Sequence, residues 1–503
     1  MSALTQLGDN LALGFASALA PLHLLFGVIG VTLGTAIGVL PGIGPAMTIS
    51  LLLPLTFGMN PVGAFILFGG IYYGAMYGGS TTSILVRMPG EASSVVTALD
   101  GYAMTQQGRG GAALATAAIG SFVAGTSATI ILTLMAPVLV EVALGFGPTE
   151  YFALMVLALT ALGGMAGDAP AKGAFATFLG LAIGTVGIDI QTGQARFTVG
   201  VAGLLGGLNV VIVTAGLFAV GEVFWHAAQP RTSREEPAAL AGSVRLTGED
   251  WRRSLPAWCR GTVIGFFTGV LPGAGATVAS FLSYAVERRV SRTPEAFGHG
   301  AIEGVAGPEA ANNASAGGSL VPLLALGIPG SGTTAVMLAA FQMYGLQPGP
   351  LLFTQEAGLV WGLIASLYVS NVLLLVLNLP LIRIWVRMLD VPRSLLFAAV
   401  LVFATLGVYS LNNNLFEVLV VYVLGVMAFF MRRHGLPLAP TVLGVVLGPL
   451  MEQHFRRAMA ISGGDATVFL TRPVSAVILV VTVVVVLLPL LARTRYGRSI
   501  SHR

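Results

Sequence analysis

The apolar segment at 473–492 most constrains what this chain can fold into. It holds no charged residue and lies between Arg472 and Arg493. A helix of about 20 apolar residues crosses the roughly 30 Å hydrocarbon core of a bilayer. Similar runs recur along the chain, whereas the strict alternation of β-barrel strands does not. The sequence therefore predicts an all-α polytopic membrane protein with roughly 10 to 14 membrane segments, some of them re-entrant.

Twelve further segments are predicted from apolar runs, several of them interrupted by Gly and Pro. They lie at about 11–40, 62–86, 112–140, 150–167, 173–190, 198–224, 259–286, 317–346, 357–386, 394–411, 415–431 and 436–450.

Charge is too scarce for a water-facing surface. Charged residues are 9% of the chain, against roughly 25% in soluble domains. This excludes a soluble enzyme, a disordered protein and a nucleic-acid binder. No HExxH, G-x-S-x-G, Walker A or Rossmann sequence is present, so we expect no enzyme, no catalytic residue and no organic cofactor. The one cysteine, Cys259, cannot form an intrachain disulfide.

An internal repeat begins with two glycine-rich segments. Residues 30–44 read GVTLGTAIGVLPGIG and residues 261–275 read GTVIGFFTGVLPGAG, with eight identities at an offset of 231. Glycines four positions apart predict a face that another helix backbone approaches closely. Both segments then reach Pro-Gly-x-Gly, where proline removes a donor and glycine permits non-helical dihedral angles. The predicted helix breaks are Pro41, Gly42, Gly44, Pro272, Gly273 and Gly275.

A second pair of segments follows. Residues 78–90 read GGSTTSILVRMPG and residues 317–330 read GGSLVPLLALGIPG; the offset changes from 239 to 240, which suggests one inserted residue. These segments add the predicted break residues Gly78, Gly79, Pro89, Gly90, Gly317, Gly318, Pro329, Gly330 and Gly332. We therefore divide the chain into a membrane repeat at 11–225, a cytoplasmic linker at 226–258, a second membrane repeat at 259–492 and a cytoplasmic tail at 493–503.

Loop charges indicate how the two copies are oriented. The loop at 58–61 is uncharged, whereas the matching region of the second copy carries Arg288, Arg289 and Arg292. The later loops reverse this pattern, with charges at 100–109 and none at 347–350. Because basic loops stay in the cytoplasm, the copies are expected to have inverted topology. The alternative is two parallel halves whose loop charges differ by chance.

Inverted repeats with broken helices are typical of secondary transporters, which bind substrate near the bilayer midplane. The free N–H groups at a half-helix N-terminus suit carboxylates, and hydroxyl groups beside them complete the predicted substrate site: Ser80, Thr81, Thr82, Ser331, Thr333 and Thr334. Side-chain oxygens suit a hard cation, so the predicted Na⁺ ligands are Asn312, Asn313 and Ser315. The alternative for the hydroxyl groups is bonding to their own helix backbone.

A few ionisable residues are predicted at or near membrane depth, where they are costly and often functional. They are Arg87, Glu91, Glu141, Asp168, Lys172, Asp189 and Glu309. Structural roles are open for several: Asp168 and Lys172 could pair, Glu91 could cap a helix, and Arg87 could extend toward the interface.

Four strings resemble the large membrane subunit of the tripartite tricarboxylate transporters, the TctA family. They are GVLPGIGPA (38–46), YGAMYGGSTTSILVRMPGEASSVVTALDGYAM (73–104), VPLLALGIPGSGTTAVML (321–338) and GLQPGPLLF (345–353). The resemblance implies a multi-pass permease of the bacterial inner membrane that imports carboxylates, with Na⁺ as the coupling ion. It also implies two partners, a small four-helix membrane subunit and a periplasmic substrate-binding protein.

An elevator mechanism fits this resemblance, with a fixed scaffold and a moving domain that carries both helix breaks. The competing hypothesis is a channel or a structural membrane scaffold without ion-coupled transport. A channel would need a continuous pore and would show neither saturation nor ion coupling.

Overall fold

The computed structural model of the chain describes residues 3–40, 44–87, 89–164, 169–189, 191–229, 244–273, 275–388 and 392–500. Nearly all of the regular structure in these ranges is helical, as the sequence predicts. The α-helices are α1 (Ala3–Ala18), α2 (Pro21–Val39), α3 (Pro45–Leu52), α4 (Pro61–Val86), α5 (Thr97–Gln106), α6 (Gly110–Leu144), α7 (Pro148–Gly164), α8 (Pro170–Gly184), α9 (Val210–Thr214), α10 (Gly221–Ala227), α11 (Gly248–Val270), α12 (Gly275–Val290), α13 (Glu303–Leu326), α14 (Gly332–Met343), α15 (Pro350–Gln355), α16 (Ala357–Asn378), α17 (Ile382–Met388), α18 (Arg393–Asn412), α19 (Leu415–Arg433), α20 (Leu438–Ile461), α21 (Val468–Thr471) and α22 (Pro473–Ile500).

Shorter elements connect these helices. A π-helical segment, Ala215–Val220, joins α9 to α10, and 3₁₀ turns cover Pro54–Thr56, Ala92–Ser94, Ala202–Leu204 and Pro294–Ala296. Two short strands, β1 (Gly187–Ile188) and β2 (Ala195–Arg196), form an antiparallel hairpin between α8 and α9, with Gly187 opposite Arg196.

Seven helical segments of the described residues are long and apolar enough to cross a membrane: Pro21–Val39, Pro61–Val86, Gly110–Leu144, Val210–Ala227, Ala357–Asn378, Ser394–Asn412 and Leu415–Arg433. These segments confirm a polytopic helical membrane protein. Helix α13 falls outside this set because it carries polar residues in the protein interior; Glu309, Asn312 and Asn313 are all buried. The stretch Pro473–Leu487 of α22 is apolar but shorter than these segments. The expected 10 to 14 membrane segments remain a prediction.

The first glycine-rich segment forms α2, which packs against α4 with almost no space between the two backbones. A Cβ atom on Gly34 would lie 2.5 Å from the Ile71 carbonyl oxygen, and one on Gly38 would lie 2.5 Å from that of Ala75. From Gly34 to Gly38 on α2, the facing residue on α4 moves from Ile71 to Ala75. Residue numbers therefore increase in the same direction, and α2 and α4 are parallel. The chain between them returns through α3.

The second copy has the same arrangement in α11, α12 and α13. Gly265 faces Ala311, as Gly34 faces Ile71 in the first copy. Gly269 faces Ser315, as Gly38 faces Ala75. The offset is 231 between α2 and α11 but a constant 240 between α4 and α13. The prediction of one inserted residue in the second copy is therefore wrong. Gly78 corresponds to Gly318, because each faces the end of the preceding glycine helix.

Helices α4 and α13 run in opposite directions through the centre of the molecule. The Tyr72 hydroxyl group contacts Ser319 near the end of α13. Ile84, twelve residues later in α4, shares an apolar cluster with Val305 at the start of α13. The corresponding helices of the two copies thus pack antiparallel to one another.

Pairs of helices from different halves of the chain form an outer layer. Gly180 of α8 lies against Thr441 of α20, and Gly184 lies one turn further along, against Val445. Gly221, at the start of α10, lies against Ala428 of α19 in the same way. Both contacts depend on glycine, because a side chain at these positions would meet the neighbouring helix.

Some predicted segments differ from the structure in their boundaries. The span at 62–86 coincides with α4, but the span at 317–346 is two helices separated by residues 327–331. Helix α11 begins at Gly248, inside the predicted linker, because Thr247 and Asp250 form a capping box. Of the linker, residues 230–243 lie outside the described residues, as do Pro41 and Gly42 of the first break and Asp168.

Candidate functional site

The first break of each copy is a turn at the end of a glycine-rich helix. Gly44 is the extended N-cap of α3 and is followed by Pro45 at the first helical position, a favourable place for proline. In the second copy Gly273 and Gly275 have φ angles of +85° and +60°, a region in which glycine is the least strained residue. The Gly273 N–H donates to the Gly330 carbonyl oxygen at 3.0 Å. The two breaks of this copy therefore meet.

The second break is built almost identically in the two copies and lies at Pro89-Gly90 and Pro329-Gly330. The predicted breaks at Gly78, Gly79, Gly317 and Gly318 are wrong, because these glycines lie inside the continuous helices α4 and α13. Helix α4 ends at Arg87 with φ +53°, and α13 ends at Gly327 with φ +70°. Each left-handed residue turns the chain back alongside the helix it has just left. A Cβ on Gly90 would lie 2.9 Å from the Gly79 Cα atom, and one on Gly330 would lie 2.9 Å from the Ser319 Cβ atom. The Pro-Gly segments are thus packed into the interior.

A capping box follows the second break in each copy. In the first, Glu91 caps the turn at Ala92–Ser94. In the second, Ser331 caps α14: its hydroxyl oxygen accepts from the Thr334 N–H at 3.2 Å, and the Thr334 hydroxyl oxygen accepts from the Ser331 N–H at 2.8 Å. The 12-residue helix α14 thereby begins in the protein interior, with its partial positive charge at the break.

Tyr72 joins this second break to the other copy. Its side chain is 1% exposed, and its hydroxyl group is hydrogen-bonded to the Ser319 hydroxyl at 3.1 Å and the Ser331 hydroxyl at 3.2 Å. Sequence reasoning missed Tyr72. Its neighbours in the sequence are apolar residues and glycines, and no local pattern reveals a partner 259 positions away.

The six predicted substrate hydroxyl groups are divided between two places. Ser80, Thr81 and Thr82 lie in the last turns of α4, where Ser80 donates to the Tyr77 carbonyl oxygen at 2.7 Å and Thr82 to that of Gly79 at 3.4 Å. These hydroxyl groups therefore bond to their own helix backbone, which is the alternative to substrate binding. The other three, Ser331, Thr333 and Thr334, surround the N-terminus of α14. A carboxylate at that terminus would find hydroxyl and N–H groups together.

The predicted Na⁺ ligands lie in the middle of α13 and are almost fully buried. Asn313 donates to the Ser121 hydroxyl oxygen at 2.7 Å and to the Glu309 carbonyl oxygen at 3.0 Å. Within the described residues, both polar atoms of Asn312, the Asn313 Oδ1 atom and the Ser315 Oγ atom have no hydrogen-bond partner. Ser315 lies against Gly269 on α11, whereas Asn313 faces α6, so the structure does not bring these two side chains together.

Two carboxyl groups that the predicted site leaves out lie near these residues. Glu309 is one turn before Asn313 and accepts from the Thr97 hydroxyl group at 2.5 Å. Glu91 accepts from the Ser93 hydroxyl group at 3.2 Å, and its Oε1 atom would lie 3.3 Å from a Cβ on Gly44. Acidic residues are rare in this apolar chain, and that rarity was the sequence signal that could have added Glu91 and Glu309 to the predicted site. In the described part of the chain, no three His, Cys, Asp or Glu residues are grouped as a metal centre.

None of the ion pairs among the described residues involves a residue of the helix breaks. Arg109 pairs with Asp250 at 2.5 Å. Burial opposes the charged form of Asp250, but hydrogen bonds from Thr247 and the Arg109 charge hold its pKa below the ordinary value. The Gln191 N–H and the Arg456 guanidinium group lower the pKa of Asp189 to about 2.

A cavity of about 330 Å³ opens at the far end of α14. Its lining is apolar with three amide side chains: Phe57, Leu208, Asn209, Val210, Val211, Ala339, Gln342, Met343, Leu411 and Asn412. Ala339 follows Ser331 by eight residues, or about 12 Å at 1.5 Å per residue of helix. Helix α14 thus connects this cavity with the second break.

Comparison with known proteins gives one family and two similar relatives. The model of the family described as "Tripartite tricarboxylate transporter TctA family" matches residues 24–443. The chain is 50% identical over 491 residues, 98% of both chains, to the "Uncharacterized 52.8 kDa protein in TAR-I ttuC' 3'region" of Agrobacterium vitis. It is 52% identical over 235 residues to the "Uncharacterized protein in TAR-II ttuC' 3'region" of the same organism, covering 47% of this chain and 97% of that protein. No solved structure matches.

Proposed function

On the premise that the chain belongs to the tripartite tricarboxylate transporter TctA family, we propose that it is a secondary active permease that imports tri- or dicarboxylates with Na⁺. The observation that carries this proposal is the duplicated helix break. Each copy has a second break of equivalent backbone geometry packed into the interior, and Tyr72 of the first copy bonds to Ser319 and Ser331 at the break of the second, at 3.1 and 3.2 Å. Such paired breaks are where secondary transporters bind substrate.

Inverted topology of the copies is part of the proposal, with the first at 11–225 and the second at 259–492. Its support is geometric: α4 and α13 correspond residue by residue, yet they run antiparallel. An elevator motion is the mechanism we propose. The glycine contacts within α2–α4 and α11–α13 would make these elements one moving body, and the outer helices α8, α10, α19 and α20 would form the scaffold.

The substrate carboxylates are proposed to bind at the N-terminus of α14. Free N–H groups and the helix dipole favour an anion there, and Ser331, Thr333 and Thr334 add hydroxyl donors. Since no basic side chain pairs with a carboxyl group at the described breaks, co-transported Na⁺ would offset part of the substrate charge. Asn312 and Asn313, buried with unpartnered amide oxygens, are its proposed ligands.

The membrane orientation and partners complete the proposal. The arginine-rich linker at 226–258 and the tail at 493–503, whose first residues continue helix α22, would lie in the cytoplasm of a bacterial inner membrane. The α8–α9 loop and the mouth of the 330 Å³ cavity would then face the periplasm, where a substrate-binding protein could deliver its ligand. A separate small four-helix membrane subunit is the second proposed partner.

Uptake by the reconstituted system tests this function. Proteoliposomes containing this chain and the small subunit receive binding protein loaded with radiolabelled carboxylates, under an inward Na⁺ or K⁺ gradient. We expect saturable uptake that requires the binding protein and the Na⁺ gradient. Uptake that rises linearly with substrate and ignores the gradient would indicate a channel, and the absence of flux for a broad carboxylate panel would contradict the proposal.

A pair of substitutions then tests the site. Thr333→Val preserves shape and removes one hydroxyl donor to a charged ligand, a loss of about 1.5–3 kcal/mol. The half-saturation concentration should therefore rise about 10- to 150-fold. Thr82→Val is the matched control, since the Thr82 hydroxyl group bonds to its own helix. Equal kinetics for the two variants would remove Thr333 from the site.

A further inference from the structure

A buried carboxyl group at the interface of the two copies carries a further inference. Glu309 is 0% exposed. Its Oε1 atom accepts from the Thr97 hydroxyl group at 2.5 Å, while its Oε2 atom has no hydrogen-bond partner in the part of the chain that the structure describes. A buried carboxylate with a free oxygen is costly unless something compensates its charge.

Side chains from both copies surround this carboxyl group. Thr97 and Ser80 come from the first copy, and Asn312 comes from the second; the last two interact with the Glu309 carboxyl group without forming a hydrogen bond of good geometry. Asn313 holds the helix at this point through the Glu309 carbonyl oxygen, and its own Oδ1 atom is unpartnered. Several oxygen atoms therefore surround a single negative charge.

Among the described residues, no cation forms an ion pair with Glu309. Glu303 pairs with Arg253 at 2.7 Å, and Glu287 with Arg260 at 2.5 Å. Asp100 accepts from the N–H groups at 298, 300 and 301, each at 2.8 Å, and from the Tyr284 hydroxyl group. The other basic residues on the helices packed against α13 are exposed, whereas Glu309 is fully buried; they are Arg87, Arg252, Arg288 and Arg289. The tyrosines of α4 and α5 and the Glu91 carboxyl group add no positive charge.

We propose that Glu309 is the charged ligand of a Na⁺ site that Thr97 and Ser80 of one copy and Asn312 of the other complete. One carboxylate balances one positive charge, and hydroxyl and amide oxygens are suitable neutral ligands for a hard cation. Since the ligands come from both copies, cation binding stabilises the contact between α4 and α13. The use of this cation for coupling rests on the proposed transport function; its binding does not.

Thermal unfolding of the purified full chain tests binding without requiring transport. The melting temperature is measured in NaCl, KCl and choline chloride at equal ionic strength, and between pH 5 and pH 9 in choline chloride. A Na⁺ site predicts stabilisation by NaCl alone, and stabilisation at low pH without a response to NaCl would contradict it. Glu309→Gln should abolish the NaCl response, while Glu141→Gln, which changes an exposed glutamate, should preserve it.

Two further variants keep the test decisive if Glu309→Gln does not fold. Thr97→Val removes one hydrogen bond to the carboxylate and should raise the concentration for half-maximal stabilisation by about 10- to 150-fold. Asn312→Ala should also weaken the Na⁺ response. A parent protein that does not respond to Na⁺, or a Na⁺ response unchanged in all three variants, would overturn the proposal.

Transport measurements distinguish this site from the proposed function. In proteoliposomes Glu309→Gln should lose gradient-driven uptake but retain substrate exchange, because a neutral side chain no longer requires a cation. Stabilisation that depends on Glu309 in a chain without carboxylate flux would leave the cation site standing and remove the transport proposal. Gradient-driven uptake in Glu309→Gln equal to the parent would remove the coupling role.

Discussion

Single side chains in this protein join segments that are far apart in the sequence. The Tyr72 hydroxyl group lies between two serine hydroxyl groups of the other copy, and Glu309 receives its hydrogen bond from Thr97, 212 positions earlier. The sequence made Ser331 and Asn312 candidates because they lie beside glycine-rich breaks. It could not reveal Tyr72, because a tyrosine in an apolar helix is equally compatible with a position against lipid.

Removal of the Tyr72 hydroxyl group should affect substrate binding through Ser331. Tyr72→Phe loses bonds with a net value of about 0.5–1.5 kcal/mol, so the half-saturation concentration should rise about 2- to 12-fold. Tyr73→Phe is the control: the Tyr73 hydroxyl group contacts Thr129 at 3.4 Å, on α6. Radiolabelled uptake kinetics check this prediction, and an equal effect of both substitutions would contradict it.

Protonation of Asp250 should weaken the N-terminal end of α11. Its pKa is lowered in the folded protein, so its contribution to stability is complete above the unfolded pKa of about 4 and is lost as the pH falls through the lower folded value. Thermal unfolding between pH 3 and pH 6 should show a decline that Asp250→Asn reduces.

At neutral pH Asp250→Asn should cost about 1 kcal/mol, because Asn retains part of the capping box but loses the Arg109 charge pair. Asp465→Asn is the control, since Asp465 bonds only within its own turn, to Thr467. An identical acid decline in parent and Asp250→Asn would show that other groups cause it.

At the scale of elements, the sequence predicted the glycine-rich helices. It predicted only in part how they pack and how the two copies align. The spacing of Gly30, Gly34 and Gly38 predicted a face for close packing, and α4 lies on that face. The sequence did not reveal that the partner is parallel, because the intervening α3 is too short and mixed in character to be recognised as a return segment. The offset near Gly317 was one residue off, since two adjacent glycines permit either alignment.

The glycine contacts predict matched effects in the two copies. A Cβ at Gly34 would lie 2.5 Å from the Ile71 carbonyl oxygen, and one at Gly265 would similarly meet Ala311. Because backbone atoms block both positions, Gly34→Ala and Gly265→Ala should each destabilise the protein by about 1–3 kcal/mol or more. Thermal unfolding in detergent measures this effect.

Gly8→Ala is the control, and we expect it not to destabilise the protein. No heavy atom lies within 4 Å of a Cβ built on Gly8, and alanine favours a helix by about 0.5–1 kcal/mol over glycine. The melting temperature should stay constant or rise. A decrease equal to that of Gly34→Ala would show that these substitutions act through something other than helix contact.

At the scale of the whole molecule, the two halves are interleaved. The charge pattern of the loops predicted inverted copies, and the antiparallel packing of α4 and α13 supports that prediction. The exchange of partners in the outer layer, α8 with α20 and α10 with α19, was not predictable. Each of these helices has small residues on one face, and many apolar helices could fill that space.

Labelling of single cysteines tests the orientation of the copies. Cys259 is exposed, so the background carries Cys259→Ser. Asn60→Cys and Ser291→Cys should react with a membrane-impermeant maleimide from opposite sides, because they follow equivalent helices of inverted copies. Gln106→Cys and Gln347→Cys, both at exposed positions, should also differ, with residue 106 on the cytoplasmic side. Reaction of both members of a pair from the same side would contradict inverted topology.

Helices α8 and α20 are far apart in the sequence, so α8 is synthesised well before the helix it packs against. Gly180 awaits Thr441, which follows it by about 260 residues; at 5–20 residues per second, roughly 13–50 s pass before the ribosome supplies this partner. During that interval the small-residue face of α8 has only lipid or an insertion chaperone against it. We therefore expect nascent chains halted before residue 440 to be degraded or to bind the insertion machinery persistently, while chains extended past α20 are released.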